Sequence, residues 1–92
     1  MNGPAGPAPQ SGSPQSGSIV RKRSISIRGH ATSFSLEDAF FEIVEAIARQ
    51  RGISLAALVA EIDDNRDKRA NLSSALRLHA LEWVKSGGRI EE

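Results

Sequence analysis

The chain has 92 residues and a formal net charge of +1, with 39% hydrophobic residues and no cysteine. This length suits one small domain, and the lack of cysteine excludes a disulfide framework and a thiolate zinc site. Residues 1–18 contain only small, polar and proline residues apart from one methionine, so they predict a disordered Gly/Pro/Ser tail. No segment has the apolar length of a secretory signal or a membrane span, so the sequence predicts a cytoplasmic protein without membrane contact.

Positive charge is concentrated where this tail ends. Residues 1–36 carry four basic residues and no acidic one, whereas residues 37–92 carry eight basic and eleven acidic residues. The four basic residues are Arg21, Lys22, Arg23 and Arg28. Such a segment is suited to binding a polyanion. It is equally typical of basic residues that keep an exposed strand from aggregating. Residues 19–30 are therefore predicted to be a basic arm or an early strand.

A period of two predicts a strand at residues 31–36. Larger side chains alternate there with small ones, which places the two sets on opposite faces of an extended segment. The first set is Thr32, Phe34 and Leu36, and the second set is Ala31, Ser33 and Ser35. A lone strand leaves its backbone donors and acceptors unpaired, so this strand must find a partner.

After Leu36 the apolar residues recur every three or four positions, which predicts a helix. This first helix is expected to run to about Arg51. Ser35 and Asp38 match a capping box at its start, and Gly52 is expected to stop it.

Two further helices are predicted over residues 54–64 and 72–86, each beginning at or just after a residue type that caps helices. Most of their apolar residues lie on one side, so the chain is expected to be mostly α-helical. The predicted domain spans residues 31–86, and residues 87–92 form a short C-terminal tail.

No residue pattern indicates catalysis, a cofactor or a metal site. His30 and His79 are the only histidines, and we predict a turn position for His30 and a packed core position for His79. Residues 63–68 resemble the opening of an EF-hand loop, but Lys68 stands where that loop requires glycine. The sequence therefore predicts a binding protein, not an enzyme, without cofactor or metal.

Binding chemistry is better supported. The small outward side chains of the strand suit contact with base edges, if a two-stranded ribbon enters a DNA major groove. The start of the second helix, at Ser54, Leu55 and Ala56, offers a hydroxyl and free N–H groups to a DNA phosphate. Both features also have ordinary explanations, as solvent-exposed serines and as a helix cap. Their order along the chain is what favours DNA binding.

This order of elements resembles the ribbon-helix-helix family of DNA-binding proteins. The strings that carry the resemblance are GHATSFSLEDAFFE, RGISLAALVAEID and NLSSALR. They are similar to a bacterial subgroup in which a third helix follows the usual pair. The resemblance covers about residues 23–85.

The resemblance implies an intertwined homodimer in which each chain gives one strand to an antiparallel ribbon and the helices form a shared core. The expected core residues are Thr32, Phe34, Leu36, Phe40, Val44, Ile47, Leu58, Val59 and Ile62. The expected base contacts are Ala31, Ser33 and Ser35. The expected phosphate contacts are Arg21, Lys22, Arg23, Arg28, His30, Ser54, Leu55 and Ala56. At the position of Ala31 the family commonly has a long polar or basic residue, so the chain departs from the pattern there.

The sequence thus predicts a dimeric DNA-binding regulator of transcription, such as a repressor, whose partners are a second copy of itself and double-stranded DNA. One alternative is a protein-interaction module of the same fold without DNA binding, with the third helix as the contact for a protein partner. A further alternative is an antitoxin. Antitoxins of this family usually carry a long C-terminal segment, whereas only residues 86–92 follow the last helix here.

Overall fold

The computed structural model describes residues 17–91, which form two β-strands followed by three α-helices. The elements are β1 (Val20–Ile27), β2 (His30–Glu37), α1 (Asp38–Arg51), α2 (Leu55–Asn65) and α3 (Leu72–Lys85). None of the helices in this range has the length and apolar character needed to cross a membrane. The predicted disordered tail lies outside the described residues except for Gly17 and Ser18, so its disorder remains a prediction.

β1 and β2 form an antiparallel hairpin within one chain. Ile27 lies opposite His30, so the turn consists of Arg28 and Gly29 alone. Both residues have positive φ, 53° and 80°, as a type I′ turn requires. The prediction of one strand per chain is therefore wrong, because the basic segment forms a second strand that pairs with β2.

One face of the hairpin packs on the helices. Phe34 and Leu36 of β2 are buried, and Ile27 of β1 lies in the same core. The opposite face is exposed to solvent. This is the orientation that the alternation in residues 31–36 predicts.

The start of α1 differs from the predicted capping box of Ser35 and Asp38. The strand continues through this segment, and main-chain carbonyl groups satisfy the first N–H groups of the helix. The N–H of Asp38 donates to the oxygen of Ile19, and the N–H of Ala39 donates to that of Gly17, both at 3.0 Å. The capping box is therefore wrong, and Ser35 remains a strand residue with an exposed side chain.

The other helix ends follow the sequence prediction closely. Gly52 ends α1 in a left-handed conformation with φ of 70°, as a C′ glycine does. The hydroxyl of Ser54 caps α2 by accepting a bond from the N–H of Ala57 at 3.0 Å. The side chain of Asn71 caps α3 by accepting a bond from the N–H of Ser74 at 2.8 Å.

The hairpin and the three helices share one core. Its largest fully buried side chains are Leu36, Val44, Ile47, Leu58, Val59 and Leu76. Of the residues predicted for a shared dimer core, seven are buried within this one chain, and Thr32 and Phe40 are half-buried. The second strand and α3 thus cover apolar surface that the sequence prediction had assigned to a partner chain.

α3 packs on α1, α2 and β2. Its inward side carries Leu76 and Ala80, which are fully buried. His79 is only half-buried and lies on the wall of a groove between α2 and α3. The predicted core position of His79 is therefore wrong, because the inward side of the helix is the one that carries Leu76 and Ala80, and His79 lies at the margin of that side.

Candidate nucleic-acid interface

The exposed face of the hairpin carries mainly small hydroxyl side chains. The register gives this face four cross-strand pairs, which are Val20–Glu37, Lys22–Ser35, Ser24–Ser33 and Ser26–Ala31. Directly opposed residues of paired strands point to the same side of the sheet. The six residues of the last three pairs are exposed, and the hydroxyls of Ser24 and Ser33 lie 3.3 Å apart. We call these six residues the serine face. Glu37, at the end of the face away from the turn, is half-buried and forms an ion pair with Arg77.

The β2 half of the serine face holds the three residues predicted to contact bases. The β1 half was not among the predicted base contacts, and Lys22 was predicted to contact phosphate instead. Ser24 and Ser26 alternate with Ile25 and Ile27 in the sequence, which is the signal that could have found them. Only the register of the hairpin shows that they share a face with the serines of β2.

Two of the predicted phosphate contacts lie on the opposite face of β1. Arg21 and Arg23 both bind the carboxylate of Asp38, with the Nε of Arg21 at 2.9 and 3.0 Å from its two oxygens. The guanidinium carbon of Arg23 also lies 3.7 Å from the ring centroid of Phe41. Hydrogen bonds from Arg21 and then Arg23 hold the pKa of Asp38 below its usual value. Both guanidinium groups are thus already paired with a carboxylate.

The turn end of the hairpin is attached to α2. Arg28 donates to both carboxylate oxygens of Asp64, at 3.2 and 2.5 Å, and this contact lowers the pKa of Asp64. His30 is exposed and lies opposite Ile27, on the side of the sheet that packs on the helices. Neither Arg28 nor His30 belongs to the serine face.

The start of α2 is a separate polar feature. The N–H groups of Leu55 and Ala56 have no hydrogen-bond partner within residues 17–91, because the first N–H groups of a helix lack an acceptor inside it and the hydroxyl of Ser54 accepts from Ala57. No acidic residue lies in the first turn. Asp64 lies ten residues after Ser54, which is about 15 Å along a helix. The predicted phosphate clamp is therefore at the end of α2 remote from the hairpin turn.

The outer edge of β2 is covered by α3. The ladder register turns the N–H of Ser35 away from β1, and this N–H donates to the hydroxyl of Ser73 at 3.2 Å. Two residues further along the same edge, Glu37 forms an ion pair of 2.8 Å with Arg77, which holds the pKa of Glu37 below its usual value. An added strand would have to displace both contacts.

The outer edge of β1 is protected in a different way. Arg21, Lys22 and Arg23 are consecutive residues of this strand. Charged side chains on an edge strand oppose the addition of another strand. The hairpin therefore remains a ribbon of two strands with one exposed polar face.

A known family pattern covers most of the described residues. The family model described as a ribbon-helix-helix domain matches residues 20–84. This range begins with β1 and reaches the last turn of α3, so it includes the hairpin and all three helices. No curated protein and no solved structure matches the chain significantly. The resemblance seen in the sequence is confirmed, and the chain belongs to the ribbon-helix-helix family, whose members are generally DNA-binding proteins.

Proposed function

We propose that this chain is a sequence-specific DNA-binding regulator of transcription, such as a repressor, and that its hairpin enters the major groove with the serine face toward the bases. The observation that carries the proposal is the serine face itself. It is exposed, the carboxylate beside it on this side of the hairpin, that of Glu37, is bound by Arg77, and the opposite face of the same hairpin anchors it to the core. Hydroxyl groups both donate and accept hydrogen bonds, which suits the mixed donors and acceptors of base edges.

The width of the hairpin supports this proposal. Paired strands lie about 4.8 Å apart, and a major groove of about 12 Å admits a two-stranded ribbon. A wider sheet would fit less well. The contacts of Ser73 and Arg77 on one edge, and the basic residues on the other, favour a ribbon that keeps this width.

The start of α2 supplies a contact for the DNA backbone. Its N–H groups at Leu55 and Ala56, which have no partner among the described residues, lie beside the hydroxyl of Ser54. They favour an anion because the helix dipole is positive at this end. Phosphate contacts of this kind position a protein on the duplex without reading its sequence. A bulky or acidic residue in place of Ser54 is expected to block the contact.

The arginines of the hairpin contribute to backbone affinity if phosphate replaces the carboxylates that now bind them. Arg28 and Arg21 are the better candidates, because their side chains are 62% and 56% exposed, compared with 22% for Arg23. His30 adjoins the turn and is a further candidate for a phosphate contact. Such contacts would make binding sensitive to salt for every DNA sequence.

We extend the proposal to a dimer, as is general in this family. Because β1 and β2 pair within one chain, an intertwined dimer requires exchange, with β1 of each copy pairing with β2 of the other in the register observed here. The turn supports exchange, because Arg28 has a positive φ that residues with a side chain rarely adopt. Short hinge loops under strain favour the swapping of an element between copies.

Titration against duplex DNA tests the proposed function. At about 50 mM salt, where backbone contacts are strong, the folded protein should bind bulk duplex, and a random pool should yield an enriched sequence. Ser33→Asp places a carboxylate at the centre of the serine face and should abolish binding while the protein stays folded. Ser86→Asp, at an exposed serine after α3, is the matched control and should leave binding unchanged. A folded wild type that binds no duplex would contradict the proposal.

A second candidate function is protein interaction through α3. Leu78, Leu81 and Val84 are 59%, 46% and 45% exposed, and their spacing of three residues forms an apolar stripe along the helix. Exposed apolar stripes are often contact surfaces for other proteins. A folded protein without affinity for duplex DNA would favour this candidate over the first.

A further inference from the structure

Lys22 is the one cation of the serine face. It lies opposite Ser35, at the end of the face away from the turn. Its ammonium group makes no ion pair with any residue in the range 17–91. The three arginines of the hairpin differ in both respects, because they lie off this face and bind carboxylates.

The surface around Lys22 is a groove between the hairpin and α3. It has a volume of about 280 Å³, and its polar lining consists of Lys22, Ser33, Ser35, Asn71 and Ser73. No acidic residue lines it, and Glu37, the next residue of β2 on this face, is held by its ion pair with Arg77. The ammonium group is therefore available to acceptors of a ligand that lies on the serine face.

We propose that Lys22 is a specificity-determining residue that contacts a guanine in the major groove. The inference rests on the proposed function and names a base that the serine face reads. Guanine presents two acceptors, O6 and N7, on its major-groove edge, whereas adenine places an N6 amino donor beside its N7. An ammonium group has three donors and no acceptor. It therefore fits guanine and is opposed by the amino group of adenine.

The short neighbours of Lys22 favour a base contact over a phosphate contact. Serine side chains reach bases only when the ribbon lies deep in the groove. At that depth a lysine on the same face points at base edges, whereas the phosphates flank the ribbon. The Arg21 and Arg23 side chains, on the opposite face, have no such access to the bases.

Ala31, at the end of the serine face opposite Lys22, adds a second and different base preference, which gives the recognised sequence a direction. It lies opposite Ser26, which is four residues along β1 from Lys22, or about 14 Å in a strand. This distance corresponds to about four base-pair steps. An alanine methyl group suits contact with the thymine methyl group. The face therefore selects a guanine and a thymine separated by about four steps.

Selection from a random duplex pool, with the full chain at one salt concentration, tests the inference. Wild type should enrich guanine at one position. Lys22→Gln should shift that position to adenine, because glutamine pairs with N6 and N7 of adenine, and the ratio of affinities for the two sites should change by about tenfold or more. Lys22→Arg should retain guanine. Lys68→Gln removes an exposed loop lysine far from the ribbon in sequence and should leave the selected sequence unchanged.

Two results would overturn the inference and leave the proposed function intact. In the first, Lys22→Gln weakens binding to all sequences alike and lowers the salt slope by about one unit per lost contact, as a phosphate contact would. In the second, the same guanine stays preferred in Lys22→Gln, or no guanine is enriched by wild type. If wild type binds no duplex at about 50 mM salt, the proposed function and the inference both fail.

Discussion

The backbone N–H of Ser35, on the outer edge of β2, donates a hydrogen bond of 3.2 Å to the hydroxyl of Ser73 in the first turn of α3. One turn later, Arg77 binds Glu37 of the same edge. The third helix thus occupies the place where a further strand would pair. Its structural role is to close one edge of the ribbon, which leaves the serine face as the exposed polar surface of the hairpin.

Ser73→Ala should increase the hydrogen-exchange rate of the Ser35 amide, because this N–H loses its acceptor. The free energy of unfolding should fall by about 0.5–1.5 kcal/mol, the usual net value of one hydrogen bond. Exchange measured residue by residue checks the prediction. Ser74→Ala is the matched control, because the hydroxyl of Ser74 has no bond to β2 within the described residues. Equal exchange of Ser35 in wild type and Ser73→Ala would show that the contact is absent in solution.

Phe34→Ala should destabilise the protein strongly, while Ser33→Ala should be nearly neutral. Phe34 is 5% exposed in the core, and truncating a buried phenylalanine costs about 3–5 kcal/mol. Ser33 lies on the exposed face, where substitutions usually change stability by less than about 0.5 kcal/mol. Urea unfolding of both variants checks the difference. Similar losses in the two variants would mean that the faces of β2 are reversed.

A cysteine pair should reveal whether β1 and β2 pair within a chain or between chains. The hydroxyls of Ser24 and Ser33 face each other at 3.3 Å, and the wild-type chain has no cysteine. After oxidation of the double variant Ser24→Cys/Ser33→Cys, closed hairpins give cross-linked monomers and exchanged strands give covalent dimers on a non-reducing gel. From the proposed dimer we expect covalent dimers that increase with protein concentration.

The single variant Ser24→Cys is the control for this experiment, because it reports random collisions between chains. Sedimentation of the wild type at micromolar concentration should give twice the mass of the chain. Intrachain disulfides alone, together with the mass of one chain, would reject the exchanged dimer and leave a monomeric ribbon.

Acid should weaken the contact between α1 and β1 at Asp38. Hydrogen bonds from Arg21, and then from Arg23, hold the pKa of this carboxyl below its usual value, which is about 3.9. Its ionised form therefore stabilises the fold above that pH, and the stabilisation is lost as the pH falls through the lowered pKa. Wild type should be more stable than Asp38→Asn at pH 7, and the difference should shrink below about pH 4. A difference that stays constant across this range in urea unfolding would contradict the prediction.

The sequence by itself determined the helices and the faces of β2. Ser54 and Asn71 cap their helices, and Gly52 ends α1, through bonds to residues within one turn. Such bonds depend on neighbours in the sequence and can be predicted from them. The alternation in residues 31–36 likewise decided which side chains are buried, because successive residues of a strand point to opposite faces.

The partner of each strand was decided by the tertiary structure. A period of two reports the face of a side chain but not the strand that lies beside it. The turn of Arg28 and Gly29 also lacks the asparagine or aspartate before glycine that marks most two-residue hairpins. Asp38 was misassigned for a related reason, since its N–H and its carboxylate bind residues nearly twenty positions earlier.

The roles of the basic residues were decided by the register of the hairpin. The sequence shows Arg21, Lys22 and Arg23 as one cluster, and it assigns all three to phosphates. The register places Lys22 on the serine face and its two neighbours on the opposite face, where Asp38 binds them. The sequence alone does not show which face of the sheet each side chain of a charge cluster occupies. Pairing of the strand fixes these faces, because consecutive side chains of a strand point to opposite sides of the sheet.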